Sequence, residues 1–225
     1  MRFWPHLHKS AHKFLVSFNF GVVMAAPLQE VISLQQSIGA SVMAWGNVEI
    51  RLHIIFQMIV QVGSPRVAHE IWTRLQGFDT HLLVTNDVVK GYMAEKLARD
   101  EDDHLKKLFD ELGSDWKLLF NRARALAQQR NEIVHATVVE QGNKVCLRPF
   151  YPEQRTPLTT ADIFARATDF SALSDAFRWF NGGLVLAREQ RIKWTGPIPD
   201  LVLRLRAESN QTRAKPKVRD RSSPP

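Results

Sequence analysis

Near the middle of this 225-residue chain runs Gln129-Arg130-Asn131-Glu132-Ile133-Val134-His135-Ala136. It sets a permanent cation, an amide and an imidazole within a few residues of one another. On an α-helix Asn131 and His135 are one turn apart and share a face. Arg130 lies about 140° around the axis from His135, and its long stem lets the guanidinium swing toward the same patch. Histidine serves as acid or base near neutral pH, and arginine presents a fork suited to phosphate oxygens. Those are the parts that metal-independent RNA cleavage needs: a base for the 2′-hydroxyl proton, an acid for the leaving 5′-oxygen, and a cation for the charge on phosphorus. Asn131 could orient His135 or bond the phosphate. The same three residues also have plain structural uses: Arg130 in an ion pair, Asn131 as a cap, His135 at a helix end that favours cations.

Other residues add to or compete with this constellation. Arg122, Arg124, Arg148 and Arg155 lie near it in sequence and are candidates for positioning a phosphate backbone. Glu49 and His53 stand one helical turn apart and read as a boundary pair, with metal ligation as the alternative. The run Asp100-Glu101-Asp102-Asp103-His104 reads as a solvated helix N-terminus, where acids favour the macrodipole, with ligation of a divalent ion as the alternative. No phosphate-cradling glycine loop, dinucleotide fingerprint or nucleophile elbow occurs, and His69-Glu70 lacks the second histidine of a zincin. With a single cysteine, Cys146, neither a disulfide framework nor a cysteine zinc finger can form. No metal and no other cofactor is expected.

Helices must position these side chains. From Leu28 to Val62 apolar residues recur at helical spacing, with Trp45, Val48, Leu52, Ile55, Ile59 and Val62 as the sharpest stripe. Ser64-Pro65 starts a second helix ending at Gly77, and a third begins near Asp79 or Thr80. A short charged helix is expected from about Glu101 to Leu112, with Gly113 as its stop and Ser114 as the next cap. The helix that follows, Asp115 to Ala136, carries the candidate site. Thr137-Val138-Val139 and Val145-Cys146-Leu147 flank Gly142-Asn143, a short β-hairpin. A last long helix runs from about Thr160 to Arg191, capped by Thr159 and Asp162. Gly182-Gly183 within it marks either close packing or a kink. Trp45, Trp72, Trp116 and Trp179 read as core or interface. The fold class predicted is all-α, an antiparallel bundle of about five to six helices with a small hairpin insertion.

Arg130-Asn131-x-x-x-His135, on a late helix of an all-α domain, resembles the motif of the HEPN superfamily. In its RNase members Arg is followed by a polar residue and then His, with four to six residues between Arg and His. The helical pattern from Leu28 to Arg191, including Trp45-Gly-Asn-Val-Glu49, also looks like such bundles. The resemblance implies a metal-independent endoribonuclease with Arg130, Asn131 and His135 as catalytic residues in a cleft shared by a homodimer. Its products would be 5′-hydroxyl and 2′,3′-cyclic phosphate ends, and DNA, lacking the 2′-hydroxyl, would be refused. The setting implied is stress response or defence, as a toxin with an antitoxin or regulatory protein partner. Many relatives are not nucleases, so the alternative is a non-catalytic interaction module that binds a protein partner or nucleotide.

Composition bounds the rest. A chain with 44% hydrophobic and 24% charged residues is ordinary globular protein, neither disordered nor fibrous. Its net charge of +7 invites a nucleic-acid reading, yet the excess is local: Leu201–Pro225 carries +5, Met1–Val23 carries +3, and the body between them −1. The domain division expected is therefore a basic, apolar extension over residues 1–23, a helical bundle over 24–200 and a disordered basic tail over 201–225. Residues 1–23 read as a weak signal-like segment or an overlong start preceding Met24. No segment reaches the ~20 apolar residues of a membrane span, and the lone cysteine suits a cytoplasmic setting.

Overall fold

The computed structural model describes residues 28–60, 65–150, 156–189 and 197–214. The expectations for residues 1–23, the Gly63-Ser64 turn and the last residues of the tail lie outside them. Six helices and one hairpin make up the described chain: α1 (Leu28–Val60), α2 (Pro65–Arg74), α3 (Phe78–Arg99), α4 (Asp103–Val134), β1 (Ala136–Gln141), β2 (Lys144–Pro149), α5 (Thr160–Arg188) and α6 (Asp200–Ala214). This is the all-α bundle with a small hairpin that the apolar spacing predicts.

The predicted stripe of α1 is its buried face: Trp45, Val48, Leu52 and Ile55 are all enclosed. It packs along α5, where Trp45 meets the edge of Phe170 with ring centroids 5.1 Å apart. On its other side α5 meets α4, whose Trp116 lies against Phe177 and Phe180. Helix α3 closes the bundle between α4 and α1. The Trp116 indole N–H crosses to it and donates to Asn86 Oδ1 at 3.3 Å. All four tryptophans therefore belong to the interior or its margin, Trp179 being half-buried. Thr159 and Asp162 form the expected capping box on α5.

Two boundaries differ from the sequence reading. Gly113 does not end a helix: α4 runs unbroken from Asp103 to Val134. The reason is burial on both sides of the glycine, since Leu112, Asp115 and Trp116 are each enclosed. Glycine in a helix interior costs only about 1 kcal/mol relative to alanine, less than the burial of one such side chain contributes. Leu112 also explains Gly183. A Cβ at position 183 would stand 2.7 Å from Leu112 Cδ2, so this glycine permits close packing of α4 on α5.

The second correction concerns the tail. Residues 201–214, expected to be disordered, form most of α6, and the bundle extends beyond residue 200. Leu201 and Val202 are buried. Arg206 grips Asp115 of α4 through two hydrogen bonds of 2.7 and 2.5 Å and lies 5.9 Å above the Trp179 ring. Composition hid this because the anchoring interaction joins positions 91 apart in sequence. The acidic run before α4 is a cap, in which Asp102 accepts from the His104 N–H at 2.8 Å.

Glu49 and His53 also have structural roles. Glu49 accepts from the Trp45 indole at 2.8 Å. His53 stacks on Trp72, which stacks in turn on His81. Burial, reinforced by repulsion from His69 and His81, pushes the pKa of His53 down to about 4.

Two outcomes follow from these contacts. Arg206→Ala leaves the Asp115 carboxylate buried without its cation and should destabilise the protein by on the order of 3 kcal/mol. It should also speed amide exchange along α6. A wild-type urea midpoint in that variant would show that α6 is held by its apolar contacts alone. The second concerns acid. His53 stays neutral in the folded chain but protonates on unfolding, so its contribution to stability falls as pH drops from about 6.5 toward 4 and levels off below. His53→Phe should flatten the pH dependence of the urea midpoint across that window; an unchanged slope would remove His53 as its source.

Candidate functional site

Arg130, Asn131 and His135 occupy the last turns of α4, where the helix gives way to the hairpin. His135 is the C-terminal cap, with φ −104° and ψ 21°. Its backbone N–H donates to the Asn131 carbonyl at 3.0 Å, which ties the imidazole-bearing residue to the helix end. Both His135 and Asn131 are exposed. Arg130 is half-buried, and its Nη1 donates to Asn131 Oδ1 at 3.0 Å.

Two clefts meet at this turn. One, of about 560 Å³, is lined by Gln128, Asn131, Glu132, His135, Ala136 and Phe150. The other, of about 360 Å³, lies between Arg130 and Asn131 on one side and the start of α3, Gly77 to Thr80, on the other. Asn131 is common to both. The three polar residues therefore do not converge on one point: Asn131 divides them, with the Arg130 guanidinium held against its amide and His135 opening on the larger cleft.

The helix end is fixed from beneath. Glu132 points inward and is buried, forming a 2.8 Å ion pair with Arg166 of α5. A second nitrogen of Arg166 donates to the Gln129 carbonyl at 2.9 Å. One guanidinium thus clamps the backbone just before Arg130 and the side chain just after Asn131. Burial holds the Arg166 pKa below the ordinary arginine value, partly offset by Asp162.

The hairpin supplies the opposite wall. Gly142 adopts φ +63°, and the Gly142-Asn143 turn sets a register running from Gln141↔Lys144 back to Ala136↔Pro149. Phe150 follows β2 and lines the larger cleft together with His135. Neither Phe150 nor Arg166 figures in the sequence reading. Phe150 lies just beyond the paired residues, so the hairpin turn gave no signal for it. Arg166 carried no local signal, since its partners lie on another helix.

The four candidate backbone-binding arginines fare differently. Arg122 is committed to an ion pair with Asp169 of α5 at 3.0 Å, both side chains being partly covered. It serves helix packing. Arg124 is exposed on α4, its guanidinium 6.0 Å above the Phe120 ring. Arg148 is exposed on β2, paired in register with Thr137. Neither Arg124 nor Arg148 lines the clefts, and Arg155 lies outside the described residues. Among the described residues no cluster of three or more metal-ligating side chains occurs, and no helix is long and apolar enough to cross a membrane.

No protein-family model, curated protein or solved structure matches this chain. The site is therefore read from its own chemistry.

Arg166→Ala should cost on the order of 3 kcal/mol, because it removes the Arg166 cation from the buried Glu132 carboxylate. Glu132→Gln should cost less, since an amide carries no charge to bury. Urea unfolding of the two variants checks the order; a more damaging Glu132→Gln would refute the clamp.

Proposed function

We propose that this chain is a metal-independent endoribonuclease of the HEPN type, with Arg130, Asn131 and His135 as its catalytic residues. The observation that supports this reading is the pairing of Asn131 and His135 on one open cleft, with the Arg130 guanidinium bonded to the Asn131 amide. An imidazole and a guanidinium on a clamped helix end suit a phosphodiester better than a neutral substrate.

In the reaction, a base takes the proton from a 2′-hydroxyl as its oxygen attacks the adjacent phosphorus. The bond from phosphorus to the 5′-oxygen breaks, and an acid returns a proton to that oxygen. The products are a 2′,3′-cyclic phosphate and a 5′-hydroxyl end. His135 fills one proton-transfer role, and in a homodimer the partner's His135 fills the other. Arg130 stabilises the charge that grows on the phosphate oxygens, and Asn131 holds its guanidinium. The biological setting proposed is a toxin acting on cellular RNA under the restraint of a protein partner.

The same cleft would also suit a non-catalytic module, because Ala136 and Phe150 add an apolar wall to its polar residues. Cleavage separates the two readings. Labelled RNA incubated in EDTA should be cut by the wild type, leaving cyclic phosphate ends. His135→Ala should slow it by at least ~100-fold, Arg130→Ala should slow it comparably, and all-deoxy strands should remain intact. Cleavage retained by both variants would overturn the site, and no cleavage of varied RNAs would favour the binding module.

A further inference from the structure

We propose that His53, His69 and His81 form an acid-sensitive latch on α2: proton uptake at this cluster releases α2 from the bundle and moves one wall of the cleft beside Arg130. The latch stands on the packing of α1, α2 and α3, while its consequence for catalysis rests on the endoribonuclease reading.

Helix α2 has 10 residues, of which only Ala68 and Trp72 are buried. It is therefore anchored by one large side chain. Trp72 packs on Phe56 of α1 with ring centroids 5.3 Å apart. Two imidazoles stack on it, His53 of α1 at 4.8 Å and His81 of α3 at 4.0 Å. His81 also holds the end of α2, since its Nε2 lies 3.1 Å from the Trp72 carbonyl. A carbonyl only accepts, so that nitrogen carries the hydrogen. His69 of α2 completes the cluster, its ring 5.4 Å from that of His53.

Within this cluster His53 is the group that resists a proton. Its Nε2 is buried and has no hydrogen-bond partner among the described residues. In the imidazolium both ring nitrogens carry hydrogen, so protonation in place leaves a buried N–H unsatisfied. Among the described residues no carboxylate offsets that charge. His69 from α2 and His81 from α3 repel it, and Glu49, one turn earlier on α1, is engaged by the Trp45 indole. Burial and that repulsion hold the His53 pKa at about 4, against an ordinary 6.5. Once α2 is released, His53 meets water and binds its proton at the ordinary value, so acid favours the released state. The gain grows by about tenfold per pH unit from 6.5 toward 4, on the order of 300-fold in all, and levels off below.

The connection to α3 carries this change to the site. Helix α2 ends at Arg74 and α3 begins at Phe78, joined only by Leu75, Gln76 and Gly77. So short a link cannot absorb the departure of α2 without moving. Gln76 and Gly77 line the 360 Å³ cleft together with Arg130 and Asn131. Release of α2 thus shifts the far wall of that cleft, while Arg166 keeps the end of α4 in place.

The test is hydrogen exchange on the full chain without RNA, read by mass spectrometry and corrected for the chemical exchange rate at each pH. Between about pH 7 and about pH 5 the protection of α2 should fall roughly 20-fold, while that of α4 and α5 holds. His53→Phe and His53→Gln, neither of which titrates, should each keep the protection of α2 level across that interval. Equal α2 protection at both pH values in the wild type, a loss that persists in both variants, or a loss shared by α4 and α5 would each overturn the latch. Acid-dependent exchange at α2 in a chain that cuts no RNA would leave the latch standing and remove the nuclease. RNA cleavage by a chain whose α2 protection is flat with pH would do the reverse.

Discussion

The constraint that organises this protein is the burial of α5. Its first turns carry one apolar stripe, Ile163, Ala167 and Phe170, but from Leu173 to Ala187 apolar residues spread around most of the helix. A helix of that kind cannot sit at a surface. It has to be enclosed, and α1, α4 and α6 enclose it. Gly183 sharpens the requirement, because it lets Leu112 fill the space where a side chain would stand. That contact holds α4 against α5 at the very place where a glycine and a serine would otherwise end α4.

A continuous α4 in turn positions the candidate site. Its middle is fixed by Trp116 and by the grip of Arg206 on Asp115, its end by Arg166 on Glu132 and Gln129. Burying an ion pair does not in itself add much stability, since desolvation offsets the attraction. Here it fixes geometry: the clamped backbone presents Arg130, Asn131 and His135 from a rigid helix end rather than a loop. Sites on such elements hold their reactive groups more closely than loops do.

Charge is divided by the same packing. Of the arginines around the site, Arg122 and Arg166 are consumed by carboxylates of the bundle, as is Arg206 further along. The +7 of the whole chain is therefore a poor guide to the field at the cleft. Among the described residues that line the clefts the permanent cation is Arg130, with Arg124 and Arg148 exposed outside them. The RNA strand proposed for this site would be held by a few local contacts, with little contribution from a broad basic face.

Much of the molecule was legible from residue types and spacing alone. The 3.6-residue recurrence of Trp45, Val48, Leu52 and Ile55 determines which face of α1 is inside, whatever it packs against. Thr159 and Asp162 determine where α5 begins, and Gly142-Asn143 determines the hairpin, because caps and tight turns are satisfied within a few residues of themselves. The Arg130-Asn131-His135 pattern was legible for the same reason, being one segment of one helix. What only the tertiary structure decided are the pairings across helices. The continuity of α4 through Gly113 depends on Leu112 meeting Gly183. The folding of residues 201–214 depends on Asp115, and the orientation of Glu132 depends on Arg166. Each partner is remote in sequence, and each local preference, for a helix stop, a solvated tail or an exposed acid, is weaker than the burial or ion pair that overrides it.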